Sequence, residues 1–201
     1  MTGPRLLVAI SLAVAAMCAA LVVSAHSAES AAHLVVRWTA RTSLVCFALV
    51  YVARPANALW PSALTKRLLA ERKWIGDGFA VSHLFHAFGI AALATLDWKI
   101  FMAARDAGAI LGTLVFALVF AMAITSIDRI RRAMSRRVWR ALHLAGMHLA
   151  WVVFVASYAK RLRGELFGPI ALGVLGAIAV LRLFAWVRAR VRDRTRARAA
   201  A

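Results

Sequence analysis

Four histidines are placed where histidine is expensive. His83 and His86 sit three residues apart inside the apolar run Trp74 to Leu96. His143 and His148 sit five apart inside a second run, Val138 to Tyr158. An ionisable ring at membrane depth is costly and points to function. Neutral imidazole ligates metals and haem iron well, and it also relays protons. Two facing helices that each bring an imidazole can hold an iron porphyrin between them. His83 and His86 share a helical face within about 60°, whereas His143 and His148 point about 140° apart. Counting inward from Lys73 and Arg140 puts His83 roughly 15 Å, His86 roughly 20 Å, His148 roughly 12 Å and His143 roughly 5 Å from the charged flank. On depth, His148 matches the third-run pair better than His143 does.

The elements that carry these rings are membrane spans. The chain has 201 residues, is 63% hydrophobic and carries a formal charge of +18. Its Lys and Arg residues fall between apolar runs, the pattern of membrane loops rather than of a nucleic-acid surface. Six runs are each long enough to cross a bilayer: Leu6 to Val23, Thr42 to about Ala58, Trp74 to Leu96, Ala107 to Ile127, Val138 to Tyr158 and Phe167 to Val187. The first is a signal peptide with Val23-Ser24-Ala25 as cleavage site, or a retained anchor; its length favours retention. The expected fold is an all-α integral membrane protein, a six-transmembrane helical bundle.

Pro55 and Pro61 are expected to close the second run. Gly108 and Gly112 in the fourth run, and Gly168, Gly173 and Gly176 in the sixth, are small residues suited to close helix contact. The stretch from His26 to Arg41 reads as polar and mixed, with His26 and His33 structural or solvated. The Arg-rich tail reads as disordered. Eighteen basic residues lie in the tail, before the first run and in the loops after runs two and four, against seven in the other loops. The positive-inside rule then places both termini in the cytoplasm. Asp77 is expected to pair with Lys73 one turn back, Arg182 to snorkel to the cytoplasmic face or, less favoured, to pair with a propionate of a bound haem, and Trp38, Trp60, Trp98, Trp139 and Trp186 to mark the interfaces. Cys18 and Cys46 lack CxxC or CxxCH spacing, which excludes a zinc knuckle and the usual covalent haem attachment. No acidic residue accompanies Ser82 and the span-three histidines to form a hydrolytic triad, and no GxGxxG follows a strand.

Several short patterns line up in order. Thr39-Ala40 is followed by Pro55. Arg72-Lys73-Trp74-Ile75-Gly76 opens the third span, Ala123-Ile124-Thr125-Ser126 ends the fourth, and Trp139-Arg140-Ala141-Leu142-His143 opens the fifth. At these residues, from about Thr39 to Lys160, the chain resembles the ferric reductase-like transmembrane family, and especially its short haem-binding members. The resemblance implies a bundle of ferric reductase-like type, with a haem-ligand role for His86 and His143. Ala40 and Arg54 depart from the family pattern, where glycine and threonine are usual. Ala156 stands where short members often have a further histidine, while His148 is extra.

His86, His143, His148 and His83 are therefore all kept as candidate ligands of one or two haem b groups. The implied organisation is 1–38 for the first helix and its loop, 39–165 for the haem-binding core, 166–190 for the sixth helix and 191–201 for the basic tail. The implied function is electron transfer across the inner (plasma) membrane, as an oxidoreductase component. A flavin reductase or quinol would donate and a periplasmic acceptor protein would receive. The basic loops would dock an acidic reductase or, the favoured reading, meet anionic membrane lipid; nucleic acid is not an expected partner. The competing readings are a proton-coupled transporter and a cofactor-free assembly subunit.

Overall fold

A computed structural model describes residues 2–96, 98–103, 107–162 and 166–199. Among them the elements are all helical: α1 (Pro4–Ser24), α2 (Ala28–Leu59), α3 (Ala63–Leu96), α4 (Trp98–Ala103), α5 (Ala107–Thr125), α6 (Asp128–Ala133), α7 (Arg136–Ala159) and α8 (Phe167–Ala199). Asp97, Arg105, Asp106, Arg163 and Glu165, and the surroundings of Gly108, lie outside the described residues. Five helices are long and apolar enough to span a membrane: α1, α2, α3, α7 and α8. The apolar stretch of α5, Ile110–Thr125, is shorter. The six expected runs therefore all appear as helices.

The helices extend beyond the apolar runs. Ser27 caps α2 by accepting the amide of Ser30, so the stretch expected to be mixed is helical from Ala28. Pro55 does not end α2, which continues to Leu59. Helix α3 begins ten residues before Lys73, so that lysine does not mark a helix start. The Arg-rich tail continues α8 as helix to Ala199 rather than as disordered chain.

Helices α2, α3, α5, α7 and α8 pack as a closed ring, each against the next and α8 back against α2. Helix α1 lies outside, in the groove of α2 and α3. The middle of the ring is aromatic. Phe47 meets Phe79 and Phe154, and Tyr51 stacks on Phe47. Close approach comes from glycines other than most of those expected: Gly78 faces Ile10, Gly89 faces Val36 and Gly146 faces Met122. Of the expected set only Gly168 is tight, whereas Gly112, Gly173 and Gly176 face open space. Cys18 and Cys46 are buried free thiols.

Candidate functional site

Helices α2 and α3 form an antiparallel pair with a steady register. Thr39 meets His86, Ser43 meets His83, Phe47 meets Phe79, and Val50 faces Gly76. That register gives each α3 imidazole an oxygen on α2. His86 Nδ1 lies 3.0 Å from the Val36 carbonyl and 3.1 Å from Thr39 Oγ1. The Thr39 hydroxyl donates to the Val35 carbonyl at 2.6 Å, so towards His86 it can only accept. His86 therefore carries its proton on Nδ1. For His83 the logic runs through a short chain. Ser82 Oγ donates to the Thr39 carbonyl at 3.0 Å, Ser43 Oγ donates to Ser82 Oγ at 2.9 Å, and His83 Nδ1 then donates to Ser43 Oγ at 2.9 Å. Thr39, Ser43 and Ser82 are fully buried.

The α7 imidazoles are held in the same sense by their own helix. His143 Nδ1 donates to the Trp139 carbonyl at 3.0 Å, and His148 Nδ1 to the Leu144 carbonyl at 2.7 Å. A ring that donates from Nδ1 and is neutral keeps a bare lone pair on Nε2. That is the tautomer in which histidine ligates a metal, with the Nδ1 acceptor fixing the ring. His143 Nε2 lies 3.4 Å from Ser126 Oγ, whose hydroxyl already donates to the Met122 carbonyl at 2.8 Å, and that carbonyl also faces the His143 ring. Nδ1 donation thus leaves His83, His86 and His148 in the tautomer that metal ligation requires, while the His143 ring also has the Met122 carbonyl beside it.

The two pairs occupy two levels. His83 and His86 lie with ring centroids 6.0 Å apart, and Phe116 of α5 packs on both. The α7 ring that reaches His83 belongs to Phe154, at 6.2 Å. His148 instead meets Tyr51 edge-on at 5.8 Å. Ser43 and Tyr51, the α2 partners of His83 and His148, are eight residues apart, roughly 12 Å along the helix. The flank-based depth count ranks His148 nearer the third-span pair than His143, and that order stands; the near-equal depth it gave does not, because Lys73 lies well inside α3 while Arg140 lies near the start of α7. His83 is buried, His86 and His143 are half-buried and His148 is exposed. Among the described residues no cluster of three or more His, Cys, Asp or Glu groups gathers as a metal site. A haem needs no such cluster, since its iron requires only axial ligands.

Asp77 pairs with Lys73 at 3.7 Å, as expected. Arg182 does not snorkel. It turns into the bundle, donates to the Tyr51 carbonyl at 3.1 Å and stacks on the Tyr51 ring at 3.9 Å. The α2 hydroxyls that orient the α3 imidazoles went unnoticed in the sequence. Their signal was present, because Thr39 and Ser43 are one turn apart and share a face with the apolar Val35 and Phe47.

The fold and the ring of buried helices with oriented imidazoles define a multi-pass helical membrane protein built around titratable groups. Residues 38–157 match the family model described as ferric reductase like transmembrane component. That span is more than half of the chain, and the protein belongs to this family. Comparison with curated proteins and with solved structures returns no match. A membrane electron-transfer role follows at the level of the family.

Proposed function

We propose that this protein is a haem b-binding electron-transfer subunit of the inner membrane. It would pass electrons from a cytoplasmic flavoprotein or quinol to an acceptor on the other side. The observation that carries the reading is the common orientation of His83, His86, His143 and His148, each donating from Nδ1 and leaving Nε2 as a base. Family membership supports it. Haem, when bound, supplies one-electron storage and transfer. The chain's own residues fix the ligand rings, through Val36, Thr39 and Ser43 for α3 and through Trp139 and Leu144 for α7. The phenylalanines of the ring exclude water from between the two levels.

The separation of the α3 imidazoles from the α7 imidazoles supports one haem at each level over a single porphyrin gripped between them. His86, less enclosed than His83, is the favoured ligand on α3. His148 and His143 both remain candidates on α7. Both termini are proposed to face the cytoplasm, where the basic ends of the helices meet anionic lipid. The test is the visible absorption spectrum of the purified protein before and after dithionite. A b-type haem spectrum supports the reading, and a colourless protein made with ample haem ends it.

A further inference from the structure

The start of α7 is basic where a helix gains nothing from basic residues. Ser135 caps it by accepting the Val138 amide at 3.2 Å, and Arg136, Arg137 and Arg140 follow in the first two turns. Positive side chains there oppose the helix dipole, and the first turn of α7 holds no acidic residue. Nearby arginines have ring partners: Arg131 lies over Trp139 and Arg190 over Trp186. Among the described residues no carboxylate pairs with Arg136, Arg137 or Arg140, and all three are exposed.

These arginines line a groove of about 450 Å³ together with Ala141 and Leu144. The five residues lie on one side of α7, within about 140° of one another. They are also ordered along its axis. Arg140 lies roughly 6 Å and Leu144 roughly 12 Å beyond Arg136, towards the middle of the span. The groove is therefore cationic at its mouth and apolar at its floor, where Leu144 is exposed. Helix α8 marks the depth. Trp151 Nε1 donates to the Leu175 carbonyl, so in this antiparallel pair Trp186 stands level with Arg140. An exposed tryptophan belongs at the headgroup level. Charge at that level with hydrocarbon directly below it is the profile of a phospholipid. The guanidinium forks suit phosphate oxygens, and three of them suit a headgroup of net negative charge. An acidic protein could meet the arginines but could not follow the groove down to Leu144.

We propose that Arg136, Arg137, Arg140 and Leu144 form a seat for one anionic phospholipid, its phosphate among the guanidinium groups and an acyl chain on Leu144. This narrows the proposed contact of basic helix ends with anionic lipid to one site, and it rests on that part of the reading and not on haem. The seat adjoins the α7 imidazoles, because the Leu144 carbonyl is the acceptor that fixes His148. A lipid in the groove braces the turn of α7 from which that ring is held.

The test uses the full chain in nanodiscs of phosphatidylcholine with a minor share of phosphatidylglycerol. Native mass spectrometry after release counts the phospholipids retained on each chain. The parent is expected to retain one phosphatidylglycerol, enriched over phosphatidylcholine by at least about tenfold, the scale of one charge-assisted hydrogen bond. Arg136→Gln/Arg137→Gln/Arg140→Gln should lose the enrichment, and the corresponding triple Lys variant should keep part of it. Arg192→Gln/Arg194→Gln/Arg196→Gln removes the same charge from the end of α8 and should retain the lipid as the parent does. Leu144→Trp fills the groove with every arginine in place and should also lose the lipid. Equal loss in the two Gln variants means a diffuse field and overturns the seat, as does full retention in Leu144→Trp or equal retention of both lipids by the parent. Displacement by millimolar inorganic phosphate overturns the lipid assignment in favour of a free anion. No retained lipid, with poly-L-glutamate bound by the parent and by Leu144→Trp but not by the groove Gln variant, assigns the arginines to an acidic protein instead. A colourless protein that retains the lipid ends the haem reading and leaves the seat standing, and a haem-loaded protein that retains none does the reverse.

Discussion

Arg182 donates to the carbonyl of Tyr51, which is the carbonyl that Pro55 leaves without its helical donor. Proline has no N–H, so the bond that residue 55 would return to residue 51 cannot form. A bare carbonyl inside a bundle is costly. The guanidinium from α8 supplies the missing proton and in doing so ties α8 to α2. Arg182→Met should therefore destabilise the bundle by about 1–3 kcal/mol. Pro55→Ala/Arg182→Met should recover most of that loss, because the alanine amide restores the helical bond. Thermal unfolding in detergent of the four species of this double-mutant cycle reads the coupling. Strict additivity would separate the two residues.

Ser43 is the acceptor that fixes the His83 ring, and it is fully buried. Ser43→Ala leaves the His83 Nδ1 proton facing a methyl group and breaks the chain to Ser82 and Thr39. Interhelical hydrogen bonds in membranes are modest, so a loss of about 1 kcal/mol is expected. Ser43→Ala/His83→Phe removes both partners and should be less destabilised than Ser43→Ala alone, as measured by unfolding in the same detergent.

Equal crowding at two glycines should have unequal consequences. A Cβ at Gly168 would lie 2.6 Å from the Arg161 carbonyl oxygen, whereas one at Gly146 would lie 2.7 Å from the Met122 sulfur. Backbone cannot swing aside, but a thioether can. Gly168→Ala should cost about 1–3 kcal/mol. Gly146→Ala should change the unfolding midpoint little.

Much of this was legible in the residues. The six apolar runs and the four imidazoles follow from composition and spacing, because lipid forbids most alternatives to a helix. The ends of the helices were not legible. Apolar content marks where the membrane is, while α2, α3 and α8 continue through polar sequence at Ala28, Ala63 and beyond Val187. Pro55 looked like a stop, because its compensation by Arg182 comes from 127 residues further along the chain. The level of each histidine also escaped. Flanking charges do not report helix starts, and only the contacts of Ser43 with His83 and of Tyr51 with His148 fix relative height.

The charge asymmetry predicts an orientation. Single cysteines introduced at Arg196 and at Trp98, in a chain lacking Cys18 and Cys46, should label oppositely in sealed inside-out vesicles. The impermeant reagent should reach position 196 and not position 98. The reverse pattern would invert the proposed direction of electron flow.

The most direct measurement is haem per chain in the parent and in two variants, His83→Ala/His86→Ala and His143→Ala/His148→Ala, each purified under ample haem. Two independent levels predict that each variant keeps about half of the parent's haem and that the combined variant is colourless. Undiminished haem in the combined variant would contradict ligation by these imidazoles, and loss of all haem in either double variant would contradict two separate levels.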